Sequence, residues 1–202
     1  MFENNSHYRV FLAVTPSEEV RAEIRDINRK FKKYARNFKF IPLDQLHITL
    51  QFLGGSVSGN SLEIIYDNLV PMYEDWVEFE VKLDRLNFGF SGQNIATHLF
   101  YPVEEDIELN RLTKSIHEDI KSFGLRDVNK KKDHSKLINH MTIARVKGHS
   151  HRSFKKEIKD FINTLELPTL KFSVSKISLI SSIYKDNTTS YSEIASIQLK
   201  KG

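Results

Sequence analysis

"LHITLQFLGG" occupies residues 46–55 and "NHMTIARVKG" residues 139–148. Each stretch carries His, an apolar residue, Thr and an aliphatic residue, and glycine follows shortly after. Successive side chains of a strand point to opposite faces. Read as strands, His47 and Thr49 share one face while Ile48 and Leu50 take the other, and His140 and Thr142 likewise oppose Met141 and Ile143. Each copy therefore offers an imidazole beside a hydroxyl on a strand whose back is apolar. A lone strand histidine is more often a hydrogen-bonded structural residue, and threonine is common in strands for its β propensity alone. The duplication reverses the balance.

The surrounding pattern predicts an α+β chain. Residues 7–14 read as a first strand, and Thr15, Pro16 and Glu18 as the start of a helix with Thr15 as its cap. Val20, Ile24, Ile27, Phe31 and Tyr34 form its apolar stripe, which is expected to end near Arg36. A second helix carries Leu62, Ile65, Leu69 and Met72 and is expected to close at Pro71. Strands are predicted over 77–83, 95–103, 139–146, 170–182 and 190–200. Two further helices lie between them, one marked by Ile107, Leu112, Ile116, Ile120 and Phe123 before Gly124, the other by Phe154, Ile158, Phe161 and Leu165. No linker rich in Gly, Pro or Ser divides the chain. A single domain over 1–202 with two closely packed lobes is expected, its sheets mostly antiparallel because strands and helices do not alternate strictly.

Composition narrows the chemistry. Cysteine is absent, so disulfides and thiolate metal sites are excluded. No stretch approaches a membrane span and the N-terminal residues do not resemble an export signal, so a cytoplasmic protein is expected. A net charge of +4 permits an anionic partner without demanding one. The basic run with Arg126, Lys130, Lys131, Lys132 and Lys136 reads as solvated loop, and "HSH" at 149–151 as loop or helix start, since no carboxylate or cysteine lies at a metal-ligand spacing from it. His7, His98, His117 and His134 stand alone.

Two imidazoles on opposite sides of one bound group can serve as general base and general acid, because both protonation states of histidine exist near neutrality. Two hydroxyls between them can hold oxygens. A phosphodiester suits this arrangement: in-line attack needs a proton removed on one side and delivered on the other. Arg145 supplies a charge and a forked donor set, but strict alternation puts it on the face opposite His140 unless the strand bulges. Phe11 and Phe52 are candidates to stack on a base, with core packing the alternative.

The paired motif resembles the 2H phosphoesterase superfamily, and within it the RNA 2′,3′-cyclic phosphodiesterases formerly called 2′-5′ RNA ligases. "YRVFLAVTPSEEVRAEI" at 8–24 is similar to that family's opening strand and helix, and "LISSIYKDNTTSYSEIASIQL" at 179–199 to its closing hairpin. The resemblance implies a two-lobed α+β fold, with two mostly antiparallel sheets facing a central cleft, helices outside and approximate internal twofold symmetry. It implies metal-independent, cofactor-free hydrolysis of RNA 2′,3′-cyclic phosphate ends to 2′-phosphates by a monomer. His47 is then the proton donor, His140 the proton acceptor, and Thr49, Thr142 and Arg145 hold the phosphate. Asn139 and the strand "NIATHLFYPV" depart from the family pattern. Alternative substrates are 2′,5′-linked oligonucleotides or cyclic nucleotide esters, and the alternative from another class is a non-catalytic module that binds RNA ends.

Overall fold

The computed structural model describes residues 2–3, 6–90, 95–105, 107–128, 139–148, 151–185 and 188–202. Its strands are β1 (His7–Val14), β2 (Phe38–Phe40), β3 (Ile48–Ser58), β4 (Phe79–Leu83), β5 (Asn87–Phe88), β6 (His98–Pro102), β7 (His140–Val146), β8 (Leu170–Val174), β9 (Lys176–Lys185) and β10 (Thr188–Gln198). Its helices are α1 (Glu18–Lys30), α2 (Gly59–Tyr73), α3 (Ile107–Ser122) and α4 (Arg152–Asn163). The α+β class and the antiparallel pairing hold. The two sheets are unequal: one runs β10-β9-β1-β3-β7-β6-β5 with β2 also on β7, and the other is the pair β4-β8.

Both motif strands lie side by side in the large sheet, joined through the pair Ile48↔Met141. These are the middle residues of the two His-x-Thr units, so an approximate twofold passes between them. On one side β1 pairs with β3, and on the other β6 pairs with β7 in the same sense. One face of the sheet contributes Val10, Leu12, Ile48, Leu50, Met141 and Ile143 to the main core, shared with the apolar stripes of the helices. The other face carries a small separate cluster of Phe11, Ala13 and Ile180, with Phe52 and Tyr191 packed on it. The site lies on this second face.

Several local expectations shift. Ser17, not Thr15, caps α1, its Oγ accepting from the Val20 N–H. The helix ends at Lys30 and Phe31 and Tyr34 are buried from a following 3-10 turn, so the stripe continues after the α-helix has stopped. Pro71 does not close α2; it sits inside the last turn, where few backbone bonds remain to be lost. Ile107 is exposed and Leu109 takes the buried place instead. Residues 170–182 are two strands: β8 leaves to pair with β4, and β9 begins after Ser175. Gly124 ends α3 with φ +69°, the left-handed conformation glycine adopts without strain. Lys130, Lys131, Lys132, Lys136, His134 and His149 lie outside the described residues.

Candidate active site

One irregularity is common to both motif strands. In β3, Leu12 pairs with Gln51 but Ala13 pairs with Thr49, so Leu50 is an extra residue. In β7, Leu99 pairs with Ala144 but Phe100 pairs with Thr142, so Ile143 is extra. Both are β-bulges three residues after the motif histidine. A bulge resets the alternation: Leu50 and Gln51 are both buried, as are Ile143 and Ala144. The residue five places after each histidine therefore returns to the histidine's face. In β7 that residue is Arg145, which strict alternation had placed on the opposite face; in β3 it is Phe52. Gln51, 1 % exposed, turns inward and its Oε1 lies 3.2 Å from His117 Nδ1 on α3, which anchors the first bulge.

Continuing the register from Ile48↔Met141 sets His47 across from Thr142 and Thr49 across from His140. The two histidines then stand on a diagonal, about 7–8 Å apart in such a ladder. A pocket of about 120 Å³ lies there, lined by His47, Thr49, His140, Thr142 and Arg145 together with Ile41, His98 and Tyr191. It opens into an outer compartment of about 270 Å³, which shares His47, Thr49, Arg145 and Tyr191 and adds Arg9, Phe11 and Phe52. Among the described residues no carboxylate lines either compartment. Such surroundings favour an anion. A larger cavity of about 390 Å³ lies elsewhere, with Asp84, Arg85 and Glu104 in its wall and no histidine. Its mixed charges and lack of an imidazole set it apart from the pocket that holds the two motif histidines.

His47 Nδ1 is 2.8 Å from the Gln45 carbonyl oxygen. A carbonyl only accepts, so Nδ1 carries a hydrogen and Nε2 is the nitrogen left able to exchange a proton. Burial, with Arg145 and His140 adding like charge, holds the His47 pKa below its ordinary value, against the bond to Gln45. Aromatic rings brace each imidazole. Phe11 and Tyr191 pack on His47 at 4.8 and 5.2 Å between centroids, and Phe90 and Phe100 on His140 at 5.0 and 5.4 Å. Phe11 is only 6 % exposed, so it supports the histidine rather than offering a face to a base. Phe52 is half-buried, and Arg9 covers it. Asn139, before the second motif, donates from Nδ2 to Asn110 Oδ1 and ties the start of β7 to α3.

His98 was not singled out by its sequence, yet it faces the inner pocket. It pairs with Arg145 across β6 and β7 as Phe11 pairs with Phe52 across β1 and β3, so the internal repeat, once aligned with its bulges, is the signal that finds it. Its Nδ1 lies 2.7 Å from Thr97 Oγ1. Burial, then Arg145 and His140, push its pKa down from 6.5 to about 4, so it is neutral near pH 7. Above about pH 6.5 it is neutral in the folded and the unfolded chain alike. As pH falls toward 4 the unfolded chain takes a proton that the folded one refuses, and stability is lost across that window. His98→Phe, which copies the matching residue of the other half, is expected to flatten the fall of Tm between pH 6.5 and 4. An unchanged slope would remove His98 from the acid response.

Comparison with known proteins places the chain in a family. Residues 16–185 match the family model of the 2′-5′ RNA ligase superfamily. The chain is 23 % identical over 195 residues to a Thermotoga maritima protein named RNA 2′,3′-cyclic phosphodiesterase, covering 96 % of this chain and 97 % of that one. An Archaeoglobus fulgidus protein of the same name is 25 % identical over 181 residues, with 88 % and 97 % covered. In fold, the chain is similar to a solved Thermus thermophilus structure, with TM-score 0.74, 22 % identity, and 94 % of this chain and 97 % of that one covered. Escherichia coli LigT, solved with 3′-AMP, gives TM-score 0.68 at 16 % identity, with 96 % and 99 % covered.

Proposed function

Because the chain belongs to the 2′-5′ RNA ligase superfamily, we propose that it hydrolyses 2′,3′-cyclic phosphate ends of RNA to 2′-phosphates with its own side chains and no metal. The observation that carries this reading is the pocket itself, which gathers both histidines, both threonines and Arg145 without a carboxylate among its described lining residues. The relatives named RNA 2′,3′-cyclic phosphodiesterase support the choice of substrate.

In this reading His140 takes a proton from water as the water oxygen bonds to phosphorus. The bond from phosphorus to the ribose 3′ oxygen breaks, and that oxygen receives the proton from His47 Nε2. Thr49, Thr142 and Arg145 hold the nonbridging oxygens, whose charge grows in the transition state. His47 suits the donor role, because the influences that lower its pKa make its imidazolium a better acid. We read residues 1–202 as one catalytic unit, which the continuous core shared by both halves supports, and we take it to act as a monomer. We place it in the cytoplasm; among the described residues no helix is long and apolar enough to cross a membrane.

The test is product analysis with 2′,3′-cyclic mononucleotides, cyclic-ended RNA and 2′,5′-linked oligomers, each in the presence of a chelator. A 2′-phosphate product that survives chelation is expected. Binding without turnover would instead identify an end-binding module, and loss on chelation a metal hydrolase. The pH profile adds a sharper expectation. A donor must be protonated and a base neutral, so kcat/KM falls on both sides of a maximum, and the depressed pKa of His47 draws the limb it governs to lower pH. Bound phosphate stabilises the imidazolium, so the alkaline limb of kcat lies higher than that of kcat/KM. A profile that follows a single group would sink the two-histidine mechanism.

A further inference from the structure

The outer compartment holds a cation that the chemistry above does not use. Arg9 projects from β1 into the space it shares with Phe11, His47, Phe52 and Arg145. Its Cζ lies 4.8 Å from the centroid of the Phe52 ring. It does not line the inner pocket, so its charge is not directed at the reacting phosphate. It is exposed and forms no salt bridge among the described residues. The backbone beneath it is fixed, because Val10 is fully buried and the Arg9 carbonyl accepts from Ser182 Oγ.

A guanidinium lying on an aromatic ring keeps its plane while its edge donors remain free, the arrangement suited to bidentate recognition of a phosphate. Arg9 stands two residues before Phe11 on β1, about 6–7 Å along the strand from the ring that braces His47. The inner pocket, at about 120 Å³, is smaller than the roughly 300–1,000 Å³ of sites that enclose whole ligands, so the rest of the substrate must occupy the outer compartment. In an RNA end the next anion beyond the terminal cyclic phosphate is the phosphate on the 5′ side of the same nucleotide.

We infer that Arg9, seated on Phe52, binds that 5′ phosphate, so that the outer compartment selects polynucleotide ends over isolated cyclic nucleosides. The inference rests on the hydrolase reading of the inner pocket. It assigns Phe52 a task different from stacking on a base: the ring orients the guanidinium. It also accounts for the difference between the two bulges. Where β7 presents Arg145 to the reacting phosphate, β3 presents an aromatic ring on which an arginine from the neighbouring strand lies.

Three substrates test it: a nucleoside 2′,3′-cyclic phosphate with a free 5′ hydroxyl, the same compound with a 5′ phosphate, and a cyclic-ended dinucleotide. The wild-type KM is expected to be about tenfold lower for the second and third than for the first, with kcat little changed, the scale of one charge-assisted contact. Arg9→Gln is expected to bring that KM ratio close to one. It should also lessen the salt dependence of kcat/KM for the dinucleotide, by at most about 0.7 unit of log–log slope. Phe52→Leu, which keeps the charge and removes the platform, should lower the ratio in part. A wild type indifferent to the 5′ phosphate overturns the inference. So does an Arg9→Gln variant whose KM rises equally for all three, since that pattern marks a base contact or a structural prop. Should the wild type hydrolyse none of them, the hydrolase reading fails, and calorimetric affinities for the same three compounds still decide the role of Arg9.

Discussion

Turnover of a 2′,3′-cyclic phosphate is expected to fall by about 10²–10⁴-fold when His47 or His140 is replaced by alanine, the usual scale for loss of a positioned acid or base. The fold should persist. Both imidazoles are on the site face, while Leu46, Ile48 and Met141, the residues that anchor the strands, are fully buried on the other side. Removing His47 leaves Phe11 and Tyr191 in contact at 5.5 Å, so the small cluster beneath the site retains its own packing. The double variant should lose far less than the product of the two single effects, because neither histidine completes the displacement without the other. Circular dichroism and single-turnover rates on the three variants check this. Near-normal turnover in either single variant removes that histidine from the mechanism.

Arg145→Met is expected to cost about 10²–10³-fold in kcat, comparable with loss of a preorganised donor to a developing oxyanion. Methionine preserves much of the length and the apolar stem, so the change isolates the charge and the fork. Arg145→Lys should recover only part of the loss, since an ammonium is a point charge without the planar pair of donors. The variant also reports on His47 directly. Arg145 is one of the groups that depress the His47 pKa, so its removal should move the alkaline limb of kcat/KM upward in pH. A fall in rate with no movement of that limb would separate Arg145 from the donor and leave it only a binding role.

The sequence made the chemistry more legible than the geometry. The two His-x-Thr units are local patterns, and their strand alternation correctly placed Ile48 and Met141 in the core. What alternation could not supply was the extra residue at Leu50 and Ile143, because a bulge is set by the partner strand and leaves no period of its own. Arg145 and Phe52 therefore became interpretable only with the pairing known. Residues 170–182 show the same limit: their apolar residues read as one strand, but pairing with β4 draws β8 away into a second sheet. His98 carries no motif, and only the match between β6 and β1 reveals it. The helix stripes were easier to read, since a 3.6-residue period is local. Even so, Ile107 shows that composition at a helix start does not decide which side chain faces inward.

A site built from two nearly equivalent halves has a difficulty of its own. In the proposed reaction two matching imidazoles facing one phosphorus are degenerate: each can act first, and the ring of the substrate could open in either sense. Leu50 and Ile143 impose the same offset on both strands, so they cannot lift that degeneracy. The residues they deliver can. Among the described residues of the inner pocket Arg145 alone carries a permanent charge, and its counterpart is the neutral ring of Phe52. In the proposed mechanism the electric field across the bound group therefore has a direction that the backbone lacks, and the choice of which ribose oxygen departs is set by the side chains in which the two halves differ, Arg145 against Phe52 and His98 against Phe11.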